Sequence, residues 1–211
     1  MLRYLDVQNI LDKNDLILQE SGCVGSENER GNTYMKKIGI VTDSHSSISQ
    51  EEAEKLGIFV LPMPFYIDGE CFYESVTLSR ELFFEKLAAG ADITTSQPSP
   101  TAVMEIWDKA LEQFEKILYL PISSGLSGSY ETAMMLAKDE TYEGRVLVVD
   151  DGQVAAPLHQ MVLDTLDMIK KGYEAEQIRD LLERAGDRMM IYIALQTLEC
   201  LKKGGRVTPA A

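Results

Sequence analysis

An eight-residue stretch rich in serine and glycine, Ser123–Tyr130, is well suited to hold a small polar group. It follows the apolar run Lys116–Ile122, which has the composition of a buried strand, and it precedes a run of good helix formers over Glu131–Lys138. The first amides of a helix have no partner within the helix and point towards whatever occupies such a loop. We therefore expect an anion site here, with Ser127 or Ser129 capping the helix; an ordinary capped turn is the alternative.

Two further segments carry hydroxyl groups in a similar setting. Thr42–Ser47 follows the first predicted strand, and Thr94–Gln97 immediately precedes a predicted helix. The loops that leave parallel strands gather at one edge of the sheet, so the first loop and the serine-rich loop are expected to meet there. Thr94–Gln97, which precedes a helix, could face the same crevice. The chain has no phosphate-loop or dinucleotide-binding glycine motif, and the three loops contain no lysine or arginine. A singly charged carboxylate therefore suits the crevice better than a polyphosphate does.

A catalytic interpretation has weaker support. Gly125–Ser129 resembles the nucleophile elbow of α/β-hydrolases, but Ser129 stands where the final glycine belongs. The only histidines are His45 and His159, and His159 falls in the middle of a predicted helix. A hydrolase of acyl esters would use Ser127 with His45, oriented by Asp43. No spacing of histidine, cysteine or carboxylate residues suggests a metal site.

Composition excludes several classes of protein. The 211-residue chain is 45% hydrophobic and has a formal net charge of −14, which disfavours binding to nucleic acid. Its three cysteines, Cys23, Cys71 and Cys200, are scattered and suggest neither a disulfide framework nor a zinc site. There is no apolar run of roughly 20 residues that would span a bilayer, nor a secretory signal pattern. We expect a cytoplasmic protein.

The hydrophobic pattern predicts an α/β fold with an N-terminal extension. Residues 1–34 are expected to be a poorly ordered extension, residues 35–152 a first domain with a parallel sheet and helices on both faces, and residues 153–211 the beginning of a second mixed α/β domain. Strands are predicted over 35–41, 58–67, 71–73, 116–122, 145–150 and 189–195. Helices are predicted over about 50–56, 80–89, 100–114, 131–138, 154–171, 174–185 and 197–203, with Ser49 and Ser79 as caps.

Four ordered motifs resemble those of the DegV family, whose members are bacterial fatty-acid-binding proteins. The resemblance extends from Lys36 to the last residue. The motifs are Val-Thr-Asp-Ser over 41–44, Thr-Thr-Ser-Gln-Pro-Ser over 94–99, Ser-Ser-Gly-Leu-Ser-Gly-Ser-Tyr over 123–130 and Leu-Lys-Lys-Gly-Gly-Arg-Val over 201–207.

The resemblance implies two domains with one long-chain fatty acid buried between them. By the family pattern, Thr95 and Ser127 hold its carboxylate, and Ser96, Ser124 and Arg206 lie near the head group. Some family members are carrier subunits of a fatty acid kinase. The resemblance therefore implies a non-catalytic chain with no cofactor besides its lipid, a separate kinase subunit as partner, and transient membrane contact for lipid exchange.

Three departures from the family pattern are present. His45 stands where the first loop usually has threonine, and Asp150–Gln153 replaces the usual Asp-Ser/Thr start of the long helix. Family members also continue well beyond the last residue here, so the resemblance implies a C-terminally truncated member. A non-functional fragment of a lipid carrier is therefore a further alternative.

Overall fold

The computed structural model describes residues 36–74, 76–192, 201–202 and 205. The predicted extension over residues 1–34, most of the predicted helix over 197–203 and the predicted head-group residue Arg206 lie outside the described residues.

A four-stranded parallel sheet forms the centre of the molecule, as the sequence predicts. Its strands are ordered β2-β1-β6-β7 and comprise β1 (Lys36–Asp43), β2 (Phe59–Leu61), β6 (Phe114–Leu120) and β7 (Val146–Val148). In the register, Thr42 lies opposite both Val60 and Leu120. Because all four strands run the same way, the first loop and the serine-rich loop leave the sheet at one edge.

Helices cover both faces of this sheet. The helices of the described segments include α1 (Gln50–Leu56), α2 (Arg80–Ala88), α3 (Pro100–Leu111), α4 (Ser129–Leu136), α5 (Ala155–Lys170) and α6 (Ala175–Gly186). All of these except α2 contact strands of the parallel sheet, whereas Phe83 of α2 packs edge-on against Phe65, which lies outside it. The caps predicted at Ser49 and Ser79 are confirmed, since their hydroxyls accept hydrogen bonds from the amides of Glu52 and Leu82. On the α3 face, fully buried Trp107 packs edge-on against Tyr119 and Tyr142.

A second, antiparallel sheet of three strands differs from the sequence prediction. It is ordered β4-β3-β5 and comprises β3 (Pro64–Ile67), β4 (Glu70–Tyr73) and β5 (Ile93–Thr95). The prediction of one edge strand over 58–67 is correct only for β2, because β3 is the central strand of this small sheet. Its proline occupies the first position of the strand, where a ladder tolerates the missing N–H. Thr94 and Thr95, predicted to lie in a loop, belong to β5.

Helices α5 and α6, which the sequence assigns to the second domain, pack on the sheet of the first. Helix α5 contacts β1, and α6 contacts β6 and β7. At the end of α6, a Cβ atom built on Gly186 would lie 2.1 Å from the backbone oxygen of Asp151, so glycine permits this close approach. The strand predicted over 189–195 is wrong for Met189–Tyr192, which form no regular element. A separate second domain stays a prediction.

Candidate functional site

The serine-rich loop ends in a pair of hydroxyl groups joined by a hydrogen bond. The Oγ atoms of Ser127 and Ser129 are 2.8 Å apart, and the amide of Ser129 donates to Ser127 Oγ at 3.3 Å. The predicted serine cap is wrong, because Gly128 is the N-cap of α4 and Ser129 is its first residue. Ser127 is half-buried and lies two residues before the first residue of α4.

The loop after β7 supports the serine-rich loop from behind. The amide of Ser123 donates to the backbone oxygen of Gln153 at 2.9 Å, and the amide of Ser124 donates to the carboxylate of Asp150 at 3.3 Å. The same carboxylate oxygen of Asp150 accepts from the amide of Gly152 at 3.2 Å. The sequence marks this segment only as a departure from the family pattern, whereas the structure shows that it fixes the backbone of the predicted binding loop.

The segment from Thr95 to Gln97 meets the beginning of α4. Thr95 is paired with Phe65 in the small sheet, and Ser96 donates its hydroxyl to the backbone oxygen of Gln97 at 3.1 Å. The hydroxyl of Thr132 then donates to Gln97 Oε1 at 3.3 Å. The structure therefore brings the predicted Thr95 and Ser127 segments together. Gln97 and Thr132 are the residues that the sequence did not single out, although Gln97 belongs to one of the quoted motifs.

A cleft of about 320 Å³ adjoins this junction. It is lined by residues of the small sheet and of the segment that leads into α3, among them Tyr66, Tyr73, Ser96, Gln97 and Pro98. The cleft therefore borders the Thr95–Gln97 segment, but neither Thr95 nor Ser127 is among the residues that line it.

The first loop has a structural role, contrary to the expectation that its hydroxyls face the crevice. Ser44 Oγ accepts a hydrogen bond from the amide of Met63, and Ser46 Oγ donates to the backbone oxygen of Asp43. The buried carboxylate of Asp43 accepts from the amides of His45 and Ile122 at 2.9 and 2.8 Å. These side chains therefore stabilise the backbone at the sheet edge.

The pairing needed for a serine hydrolase is not formed in the part of the chain that the structure describes. The hydroxyl of Ser127 is bonded to Ser129, whereas Nδ1 of His45 lies 3.2 Å from Asp43. His159 lies in the middle of α5, as predicted, and contacts Glu52 at 3.2 Å. The described residues therefore contain an Asp–His pair without a nucleophile bonded to it.

Asp151 is the most perturbed acid near the site. Burial raises the pKa of its carboxyl to about 7, and the neighbouring carboxylates of Asp150 and Asp43 contribute in the same direction. The amide of Gln153 donates to Asp151 Oδ1 at 2.9 Å and partly offsets this effect on the pKa. A buried carboxyl with this pKa holds its proton over much of the acidic range.

No helix among the described residues combines the length and apolar character needed to cross a bilayer. No group of three or more histidine, cysteine or acidic side chains there is arranged to hold a metal ion.

The parallel four-stranded sheet, helices on both faces and loops gathered at one edge define an α/β protein of the open-sheet class. The model of the DegV family, described as "Uncharacterised protein, DegV family", matches residues 37–211. The chain belongs to the DegV family.

Known relatives agree in sequence and in fold. DegV domain-containing proteins of Deinococcus radiodurans and Caldanaerobacter subterraneus are 34% and 31% identical to this chain, over 82% of its length and 62% of theirs. A solved structure of a DegV family protein from Thermus thermophilus, described as fatty-acid-binding, is 32% identical with a TM-score of 0.72. It too is matched over 82% of this chain and 62% of its own. The chain therefore spans about 62% of the length of these relatives.

Proposed function

We propose that this chain binds a long-chain fatty acid, with its carboxylate held by the hydroxyls of Thr95 and Ser127. The observation that carries the proposal is the contact between Gln97 and Thr132, which joins the two hydroxyl-bearing segments at the beginning of α4. Ser96 and Ser124 lie in the same two segments and border the head group. The fatty-acid-binding relative from Thermus thermophilus supports this choice of ligand.

The energetics suit an amphipathic ligand. Burying the roughly 14 methylenes of a 16-carbon tail at about 0.8 kcal/mol each supplies roughly 11 kcal/mol before the entropic costs of binding. Each hydrogen bond to a carboxylate contributes about 1.5–3 kcal/mol. The tail therefore dominates the affinity, whereas the hydroxyl groups determine which end of the ligand lies at α4.

We propose in addition that the chain itself performs no chemistry and presents the carboxylate to a separate kinase subunit. The support is the family resemblance together with the partners of the two histidines: His45 pairs with Asp43 and His159 with Glu52, whereas the hydroxyl of Ser127 pairs with that of Ser129. A carboxylate held by hydroxyls alone, with no cation in the three loops, keeps its nucleophilic oxygen available for phosphorylation.

The test is a titration of the 211-residue chain with stearic acid, followed by the variants Thr95→Ala and Ser127→Ala. Each variant is expected to weaken binding by about 1–3 kcal/mol, because a charge-assisted hydrogen bond is lost. Ser49→Ala is the control: it removes the cap of α1, lowers stability by about 1 kcal/mol and leaves the affinity unchanged.

Two results would contradict the proposal. Unchanged affinity in both site variants would show that the carboxylate lies elsewhere, and absence of binding by the folded wild-type chain would favour the non-functional fragment. Labelling of Ser127 by a fluorophosphonate would instead support the hydrolase alternative.

A further inference from the structure

We propose that Ser129 is a positioning residue that turns the hydroxyl of Ser127 into a hydrogen-bond donor towards the ligand. The inference rests on the proposed function and deepens it, because it explains why the site would prefer a carboxylate to a neutral head group.

The geometry confines the hydroxyl of Ser129 to one neighbour. Ser129 is buried, at 3% relative exposure, and its Oγ lies 2.8 Å from Ser127 Oγ. The amide of Ser129 also donates to Ser127 Oγ, at 3.3 Å. The oxygen of Ser127 therefore accepts one bond from the Ser129 amide and shares a second with the Ser129 hydroxyl, in which either oxygen can be the donor.

The direction of the hydrogen bond between the two hydroxyls determines whether Ser127 keeps a proton for the ligand. A serine hydroxyl has one proton to donate and two lone pairs that accept. If Ser127 donates to Ser129, its only proton is used within the pair. If Ser129 donates to Ser127, both lone pairs of Ser127 are occupied and its proton is free to point into the crevice.

A carboxylate selects the second arrangement, because an ionised carboxylate can only accept hydrogen bonds. The result is a chain in which Ser129 donates to Ser127 and Ser127 donates to the ligand. Hydrogen bonds in such a chain polarise one another and become stronger. The neutral oxygen of an alcohol polarises these two hydrogen bonds less, so its own bond to Ser127 is strengthened less. Ser129 thus acts on the ligand through Ser127, without touching it.

The experiment compares two ligands of equal chain length, stearic acid and 1-octadecanol, on the 211-residue chain. We expect Ser129→Ala to weaken stearic acid binding about five- to tenfold, as for loss of one hydrogen bond, and to weaken 1-octadecanol binding less than about twofold. Ser129→Thr retains the hydroxyl and is expected to restore stearic acid binding to within about twofold of wild type. Thermal unfolding of each variant separates folding from binding.

The outcomes distinguish this inference from the proposed function. Equal weakening of both ligands in folded Ser129→Ala, or no weakening of either, would overturn the role of Ser129 while the proposed function stands. A folded Ser129→Thr that fails to restore binding would overturn it as well; if that variant does not fold, the ratio of the two affinities in Ser129→Ala decides. If Ser127→Ala alone binds stearic acid as tightly as wild type, this inference fails; if Thr95→Ala does so as well, the proposed function fails with it.

Discussion

The carboxylate of Asp43 accepts a hydrogen bond from the backbone amide of Ile122 at 2.8 Å, although the two residues are 79 positions apart. Asp43 ends β1, and Ile122 is followed directly by the serine-rich loop. This single contact therefore ties the first loop of the sheet to the loop that carries the predicted carboxylate site.

Replacing Asp43 by alanine is expected to lower the free energy of unfolding by about 1–3 kcal/mol, because the amide of Ile122 would be left buried without an acceptor. Urea unfolding measures the change. Glu115→Ala, an exposed position on β6, is the control and is expected to change stability by less than about 0.5 kcal/mol. A loss no larger than that of the control would show that water or another group replaces the carboxylate.

Gly128→Ala tests the junction between the two binding segments. An alanine Cβ there would lie 3.1 Å from Gln97 Oε1, whereas the Cβ of Gly125→Ala would meet Ser123 Oγ at an ordinary 3.5 Å. We expect Gly128→Ala to displace the Gln97 side chain and to weaken stearic acid binding several-fold, whereas Gly125→Ala binds as wild type.

A double-mutant cycle sharpens this prediction. If Gly128→Ala acts through Gln97, it adds little to the loss of affinity already caused by Gln97→Ala, because the effects of substitutions at residues in contact are not additive. Fully additive losses in affinity would indicate that the effect of Gly128→Ala does not depend on Gln97.

Gly186→Ala tests the packing of α6 against the loop after β7. The added Cβ would clash with the backbone of Asp151, which cannot move without shifting Gln153 and its bond to Ser123. Overpacking of this kind costs about 1–3 kcal/mol, visible as a lower melting temperature. Arg184→Ala, exposed on the same helix, is the control and is expected to be nearly neutral. Equal melting temperatures for the two variants would mean that α6 can shift away from Asp151 and accommodate the added methyl group.

The raised pKa of Asp151 predicts that the free energy of unfolding depends on pH. Because burial raises the pKa of its carboxyl from 3.8 to about 7, the folded chain binds this proton more tightly than the unfolded chain does. The resulting contribution to stability is complete below about pH 4 and is lost as the pH rises through about 7.

Asp151→Asn removes this titration. In urea unfolding between pH 4 and 8, the difference in stability between the variant and the wild type should therefore shift in favour of the variant as the pH rises. A constant difference across this range would show that Asp151 titrates normally in the folded chain.

Much of the fold could be predicted from the sequence because its signals are local. Helix caps such as Ser49 bond to amides three residues away, and the alternation of strand and helix formers is enough to predict a parallel sheet. The expectation that the segments of Thr95 and Ser127 share a crevice came from the position of each beside a predicted helix, and the choice of these two residues came from the family resemblance. Local patterns failed at β5 and at Met189–Tyr192, where pairing with other strands, not composition, decides whether a segment is a strand.

Only the tertiary structure decided how the candidate site is held. The contacts of Gln97 with Thr132 and of Asp43 with Ile122 span 35 and 79 residues, and such contacts depend on strand register and on how each loop closes. Packing of α5 and α6 on the first sheet likewise depends on shape, because an apolar helix face suits any sheet that it can reach. The 2.8 Å separation of the Ser127 and Ser129 hydroxyls, on which the proposed role of Ser129 rests, likewise depends on how the serine-rich loop closes before α4.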